Sequence, residues 1–274
     1  MSGTICPFNT ATLVDPNSDE LSGKGSYWHP GEDSVSKTPM NLSIYKRLRQ
    51  EVKRYRGGYI FKLLAKRHLL SEDVIKLQNF QQKKLSVAHL GTGSKGNYIE
   101  LFSQKLQKNE LILRDELKLL LHLCQSADDM VIARDAIYRY HVENRNFIEF
   151  RFGPLFMRLC YELGLEDLAV ANLQMRMQGF QRRTSFNIAI DMLFTKGSYI
   201  NALDVLRTMK KQGVPFNKDT MMLAFGTCYK LNTEESYKIC TALLEQEQAK
   251  GQFISRHAYC FAVALALSRW RSYN

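Results

Sequence analysis

The chain has 274 residues, 45% hydrophobic and 24% charged, a mix that can bury a core and excludes wholesale disorder. Its formal net charge is +11, and its longest apolar run, Tyr259 to Leu267, has nine residues, too few to cross a bilayer. The charge is uneven: residues 1–40 carry two lysines against five acidic residues, leaving 36 basic against 22 acidic side chains in the remainder. Such an excess attracts polyanions, RNA foremost among them.

Residues 1–40 are rich in Ser, Gly, Pro, Asn and Asp without periodicity and read as a disordered arm. They do not resemble a transit peptide, which is rich in arginine and poor in acids. A basic helical region is expected over 41–112. Leu42, Tyr45, Leu48, Val52 and Tyr55 share one helical face, with Lys46, Arg47, Arg49, Lys53, Arg54 and Arg56 around it. Gly57-Gly58 ends that helix, and a second basic piece runs from Lys62 to His68. Ser71 then reads as the N-cap of a helix carrying Val74, Leu77 and Phe80. The stretch Gly91 to Gly96 fits G-x-G-x-x-G, but that motif cradles a pyrophosphate only between a strand and a helix. With no strand pattern beside it, the stretch reads as a flexible inter-helix loop.

The six cysteines, Cys6, Cys124, Cys160, Cys228, Cys240 and Cys260, include no C-x-x-C pair. Most lie in apolar helical patterns, where cysteine acts as a small hydrophobe, so no metal site is expected and a reducing compartment is. His122 and Cys124 form a lone H-x-C without further ligands. No constellation of nucleophile, base and orienting partner appears, so neither catalysis nor a cofactor is expected.

From about Leu113 the sequence repeats itself. Cys124, Cys160, Leu193 and Cys228 fall in register at spacings of 36, 33 and 35 residues. Four residues on comes a turn-compatible position, Asp128, Gly164, Gly197 and Asn232. A small residue follows, Ala133, Ala169, Ala202 and Ser236, and one helical turn later an apolar one, Ile137, Leu173, Leu206 and Cys240. Each unit therefore reads as helix, turn, helix, with the small residue admitting close approach. One such hairpin cannot bury its apolar face alone, so the units must stack as an all-α helical solenoid. Asn146-Phe147, Gly179-Phe180 and Gly213-Val214 end second helices. The repeats span 113–267, about four units and the first helix of a fifth, with 268–274 as a tail. A chain that stops there points to a shortened or alternatively spliced form.

The segment Thr184 to Asp191, with Lys196-Gly197, Ala202-Leu203, Met209-Lys210 and Gly213-Val214, resembles a pentatricopeptide repeat, with that family's length of 35 residues from Arg183 to Asn217. The Trp, Leu-Gly, Tyr signature of tetratricopeptide repeats is absent. Over roughly 66–267 the chain is similar to a mitochondrial member of the pentatricopeptide family, notably at Val74 to Gln78, Phe80 to Lys84, Phe152 to Leu163 and Cys260 to Leu267.

The resemblance implies an α-solenoid that threads single-stranded RNA along its first helices, reading about one base per repeat. The family's two reader positions fall on Asn187 and Asn217, a pair that implies a pyrimidine preference. The equivalent early readers elsewhere are Lys118, Pro154 and Met222. Pro and Met cannot read a base edge by hydrogen bonds, so binding led by phosphate contacts is expected. Candidate phosphate contacts are Lys118, Arg151, Arg158, Arg183, Lys218 and Lys230. The resemblance further implies mitochondrial transcripts as targets, a role in RNA maturation that supports the respiratory chain, and RNA-processing or ribosomal proteins as partners. The alternative is a protein-interaction scaffold such as a ribosome-associated helical-repeat subunit.

Overall fold

The computed structural model describes residues 69–88, 92–93, 96–144, 150–175, 179–251 and 253–273. The arm over 1–40, the basic helix expected from Leu42, the piece from Lys62 to His68 and the Asn146-Phe147 turn lie outside them. The described residues form twelve helices and one short strand pair. In chain order these are α1 (Glu72–Ile75), α2 (Leu77–Val87), β1 (Thr92–Gly93), β2 (Gly96–Asn97), α3 (Tyr98–Gln107), α4 (Arg114–Leu123) and α5 (Ala127–Glu143). Then follow α6 (Gly153–Leu163), α7 (Glu166–Gln174), α8 (Arg183–Lys196), α9 (Tyr199–Lys211), α10 (Lys218–Leu231), α11 (Glu234–Ala249) and α12 (Arg256–Tyr273). Among the described residues no helix is long and apolar enough to cross a membrane.

The fold is an all-α stack of hairpins. Helices α4–α5, α6–α7, α8–α9 and α10–α11 pair within units, and the first helices α4, α6, α8, α10 and α12 contact one another in succession as a row. The small column Ala133, Ala169, Ala202 and Ser236 is fully enclosed, and the apolar column Ile137, Leu173, Leu206 and Cys240 is buried beside it. Between α8 and α9, Gly197 takes φ +84° and its amide and that of Ser198 return to the last carbonyls of α8. Gly164 and Asn232 make the same left-handed stop after α6 and α10, at φ +69° and +48°. The five described cysteines are free and buried. Burial pushes the Cys124 thiol up to about 12, so it packs as a neutral hydrophobe.

Four features depart from the pattern read in the sequence. Asp128 is not a turn residue but lies in the first turn of α5. Here α4 stops at Leu123, and Ser126 restarts the helix by exchanging hydrogen bonds with Asp129 (Asp129 N to Ser126 Oγ 3.1 Å, Ser126 N to Asp129 Oδ2 3.0 Å). The helix after Ser71 breaks at Lys76, which sits at φ +56°, so α1 and α2 are separate. The Glu72 carboxylate accepts the Gln78 amide at 2.5 Å across that break. The glycine stretch closes into a two-residue antiparallel pair, Thr92 opposite Asn97, rather than a simple loop. Finally, α12 continues to Tyr273, because no Gly or Pro follows Leu267 to stop it.

Candidate nucleic-acid interface

Asn187 lies in the first turns of α8, and Asn217 is the N-cap of α10, thirty residues later. The hairpin α8–α9 returns the chain so that the two amides meet: Asn187 Nδ2 donates to Asn217 Oδ1 at 3.4 Å. Thr220 ties the pair together. Its hydroxyl lies 2.8 Å from Asn187 Oδ1 and 2.7 Å from Asn217 Oδ1, and its backbone amide donates to Asn217 Oδ1 at 2.9 Å. Asn217 Nδ2 donates to Asp219 at 3.1 Å. Asn217 thus caps α10, the duty expected of a helix-start asparagine. Asn187 is only 3% exposed. Thr220, a member of this cluster, carried no signal in the sequence beyond its place after an N-cap.

The six basic candidates are not equivalent. Arg183, Lys218 and Lys230 are exposed, and Arg183 Nε donates to the Pro215 carbonyl at 2.9 Å, which places its guanidinium beside the start of α10. Lys118 is half-buried, 3.1 Å from Asp115 Oδ1 and 4.7 Å above the Phe150 ring. The Nε of Arg151 is buried without an acceptor among the described residues. Its charge adds to burial in holding the neighbouring His141 down at about 4, so that imidazole stays neutral. Arg158 is partly buried, and its Nε donates to the Ile75 carbonyl at 2.5 Å. Burial lowers its pKa.

The floor of the first-helix row also holds a residue that no sequence argument singled out. Asp191 is fully buried, one helical turn beyond Asn187. Its Oδ1 accepts the backbone amides of Leu69 and Leu70 at 3.2 and 3.1 Å, and its Oδ2 accepts the Tyr161 hydroxyl at 3.3 Å. Desolvation raises the Tyr161 phenol well above its ordinary range, so Tyr161 remains a neutral donor.

The chain is 58% identical over 209 residues to pentatricopeptide repeat-containing protein 2, mitochondrial, of Danio rerio. The chain resembles the pentatricopeptide repeat proteins, whose name this relative bears. The proteins of the same name in Mus musculus and Homo sapiens are 55% and 54% identical over 209 residues. In all three the match covers 75% of this chain and 54–55% of the relative, so the chain spans about half the length of these pentatricopeptide proteins. They are mitochondrial proteins, and mitochondrial is the location their similarity assigns here. No family profile matches the chain, and no solved structure matches it.

Proposed function

We propose that this protein binds single-stranded RNA along its row of first helices, without a catalytic role, and acts in the maturation of mitochondrial transcripts and so in respiratory chain function. The observation that carries the reading is the contact of Asn187 with Asn217 across one repeat boundary, at the two positions the family uses to read a base. An unstacked base offers its pairing edge, and an amide pair supplies both donor and acceptor for it once the bonds to Thr220 and Asp219 are exchanged for the base. The basic excess beyond residue 40 and the exposed Arg183 and Lys218 beside that pair supply attraction for phosphate. Because Lys118, Pro154 and Met222 occupy the other early reader positions, most of the affinity comes from phosphate rather than from base edges.

The test is affinity for a single-stranded oligoribonucleotide and for its duplex, measured from about 50 to about 200 mM salt. The expected result is preference for the single strand, with log affinity falling against log salt by about 0.7 per phosphate contacted. Equal affinity for the duplex, or no binding at the low-salt end, overturns the reading. A second reading, a protein-interaction scaffold, has one observation in its favour: the first-helix row already holds a polypeptide segment, residues 69–87.

A further inference from the structure

One helical turn beyond the early reader positions Lys118, Pro154, Asn187 and Met222, the repeat register places His122, Arg158, Asp191 and Gly226. Residues 69–87 cross all four. The amides of Leu69 and Leu70 donate to Asp191. A Cβ added at Gly226 would meet the end of the Leu69 side chain, which would have to shift to admit it. The Ile75 carbonyl takes the Arg158 guanidinium, and the Phe80 ring lies 5.1 Å from the His122 ring. Lys84 then pairs with Glu162 of α6 at 2.9 Å. The segment runs from α10 and α8 back to α4, along the row and against the order of the repeats.

We propose that residues 69–87 are an intramolecular strap that occupies the groove of the first helices and competes with single-stranded RNA for it. The proposal rests on the RNA-binding reading above and adds a regulation to it. One turn of helix is about 5.4 Å, so a strand reading Asn187 would run against the strap. The strap satisfies a buried carboxylate, Asp191, with two backbone amides, and leaves no place there for a phosphate. A strand of RNA entering the groove meets that negative charge only after the amides have left.

The strap is built to leave from one end. Its first residues, Leu69, Leu70 and Ile75, are buried, whereas α2 buries Phe80 alone and leaves Leu85 76% exposed. A cleft of about 350 Å³ remains between α2 and helices α4 and α6, lined in part by Lys84, His122 and Glu162. An end with few buried contacts opens before the rest of a structure does. The Lys76 break gives the strap a joint between its buried and its loose halves.

The Lys84–Glu162 pair allows a test in which charge and strap predict opposite signs. Lys84→Glu removes a positive charge and adds a negative one, so simple attraction predicts weaker RNA binding. The strap predicts tighter binding, by about tenfold if the wild-type groove is open about a tenth of the time. The double variant Lys84→Glu with Glu162→Lys restores the pair and should return affinity toward wild type. The full-length chain is measured with a uridine oligoribonucleotide, beside its melting curve and the hydrogen exchange of residues 69–87. Faster exchange with tighter RNA binding in Lys84→Glu, reversed in the swap, is the expected result. Saturating RNA should also speed exchange at the Leu69 and Leu70 amides of the wild-type chain, because linkage is reciprocal. Faster exchange in the variant with unchanged or weaker RNA affinity overturns the strap and leaves the RNA reading standing. No RNA binding by any variant, with the strap visibly released, overturns the RNA reading and the competition with it.

Discussion

Helices α4 and α8 hold equivalent places in their repeats, yet α8 buries ten successive residues, Ser185 to Phe194, and α4 buries only Leu117, Leu120, Leu121 and Leu123. The difference follows from position in the row. Helix α8 has a full repeat on either side, its own partner α9, and Leu69 and Leu70 laid across its remaining face. Helix α4 has a full repeat on one side, while α2 and α3 contact it elsewhere. A helix enclosed all round must either be apolar throughout or satisfy each polar group locally. In α8 the buried polar residues Asn187 and Asp191 are paired by Asn217, Thr220 and the Leu69 and Leu70 amides, whereas the Ser185 hydroxyl is buried without a partner among the described residues.

The largest expected effect separates these two helices directly. Ile188 of α8 and Leu119 of α4 occupy the same register position, but Ile188 is buried and Leu119 half-buried. Ile188→Ala should cost about 2–5 kcal/mol and Leu119→Ala about 1 kcal/mol, read by chemical denaturation. Equal losses would mean that α4 is as enclosed as α8, and the comparison would fail.

Helix caps give a smaller effect that sharpens it. Asn217 caps α10 within the Asn187–Asn217–Thr220 cluster, and Ser126 caps α5 away from it. Asn217→Ala and Ser126→Ala should each cost about 1 kcal/mol and lower the melting temperature by roughly 2–4 °C. Only Asn217→Ala should also change RNA affinity. If both change it alike, the cluster serves the helix and not the base.

The smallest effect concerns two lysines. Lys218 is exposed beside the α8–α10 junction, whereas Lys118 is held by Asp115 and the Phe150 ring. Lys218→Ala should flatten the salt dependence of RNA binding by about one unit, and Lys118→Ala by less. The slopes of log affinity against log salt for the two variants decide it.

The hairpins were legible because periodic burial leaves a periodic sequence: Ala133, Ala169, Ala202 and Ser236 had to be small, and Gly164 and Gly197 had to accept a left-handed backbone. Asp128 misled because a Ser126–Asp129 capping exchange restarts a helix without any left-handed residue. The strap was illegible for a different reason. It is tied through the amides of Leu69 and Leu70 and the carbonyl of Ile75, and backbone groups are the same in every residue. The break at Lys76 has no glycine to announce it. The positions of Asn187 and Asn217 were readable from the family pattern, but not the burial of Asn187 or its Thr220 partner, which depend on how α8 meets α10.

We propose that single-stranded RNA lies along the first helices near the α8–α10 junction. The most direct measurement is ultraviolet crosslinking of bound oligoribonucleotide to the full-length chain, followed by mass spectrometric mapping of the crosslinked peptides. Crosslinks are expected in peptides covering Arg183 to Asn187 and Asn217 to Thr220, with none of comparable yield in the second helices α9 and α11. Crosslinks confined to the second helices would contradict it.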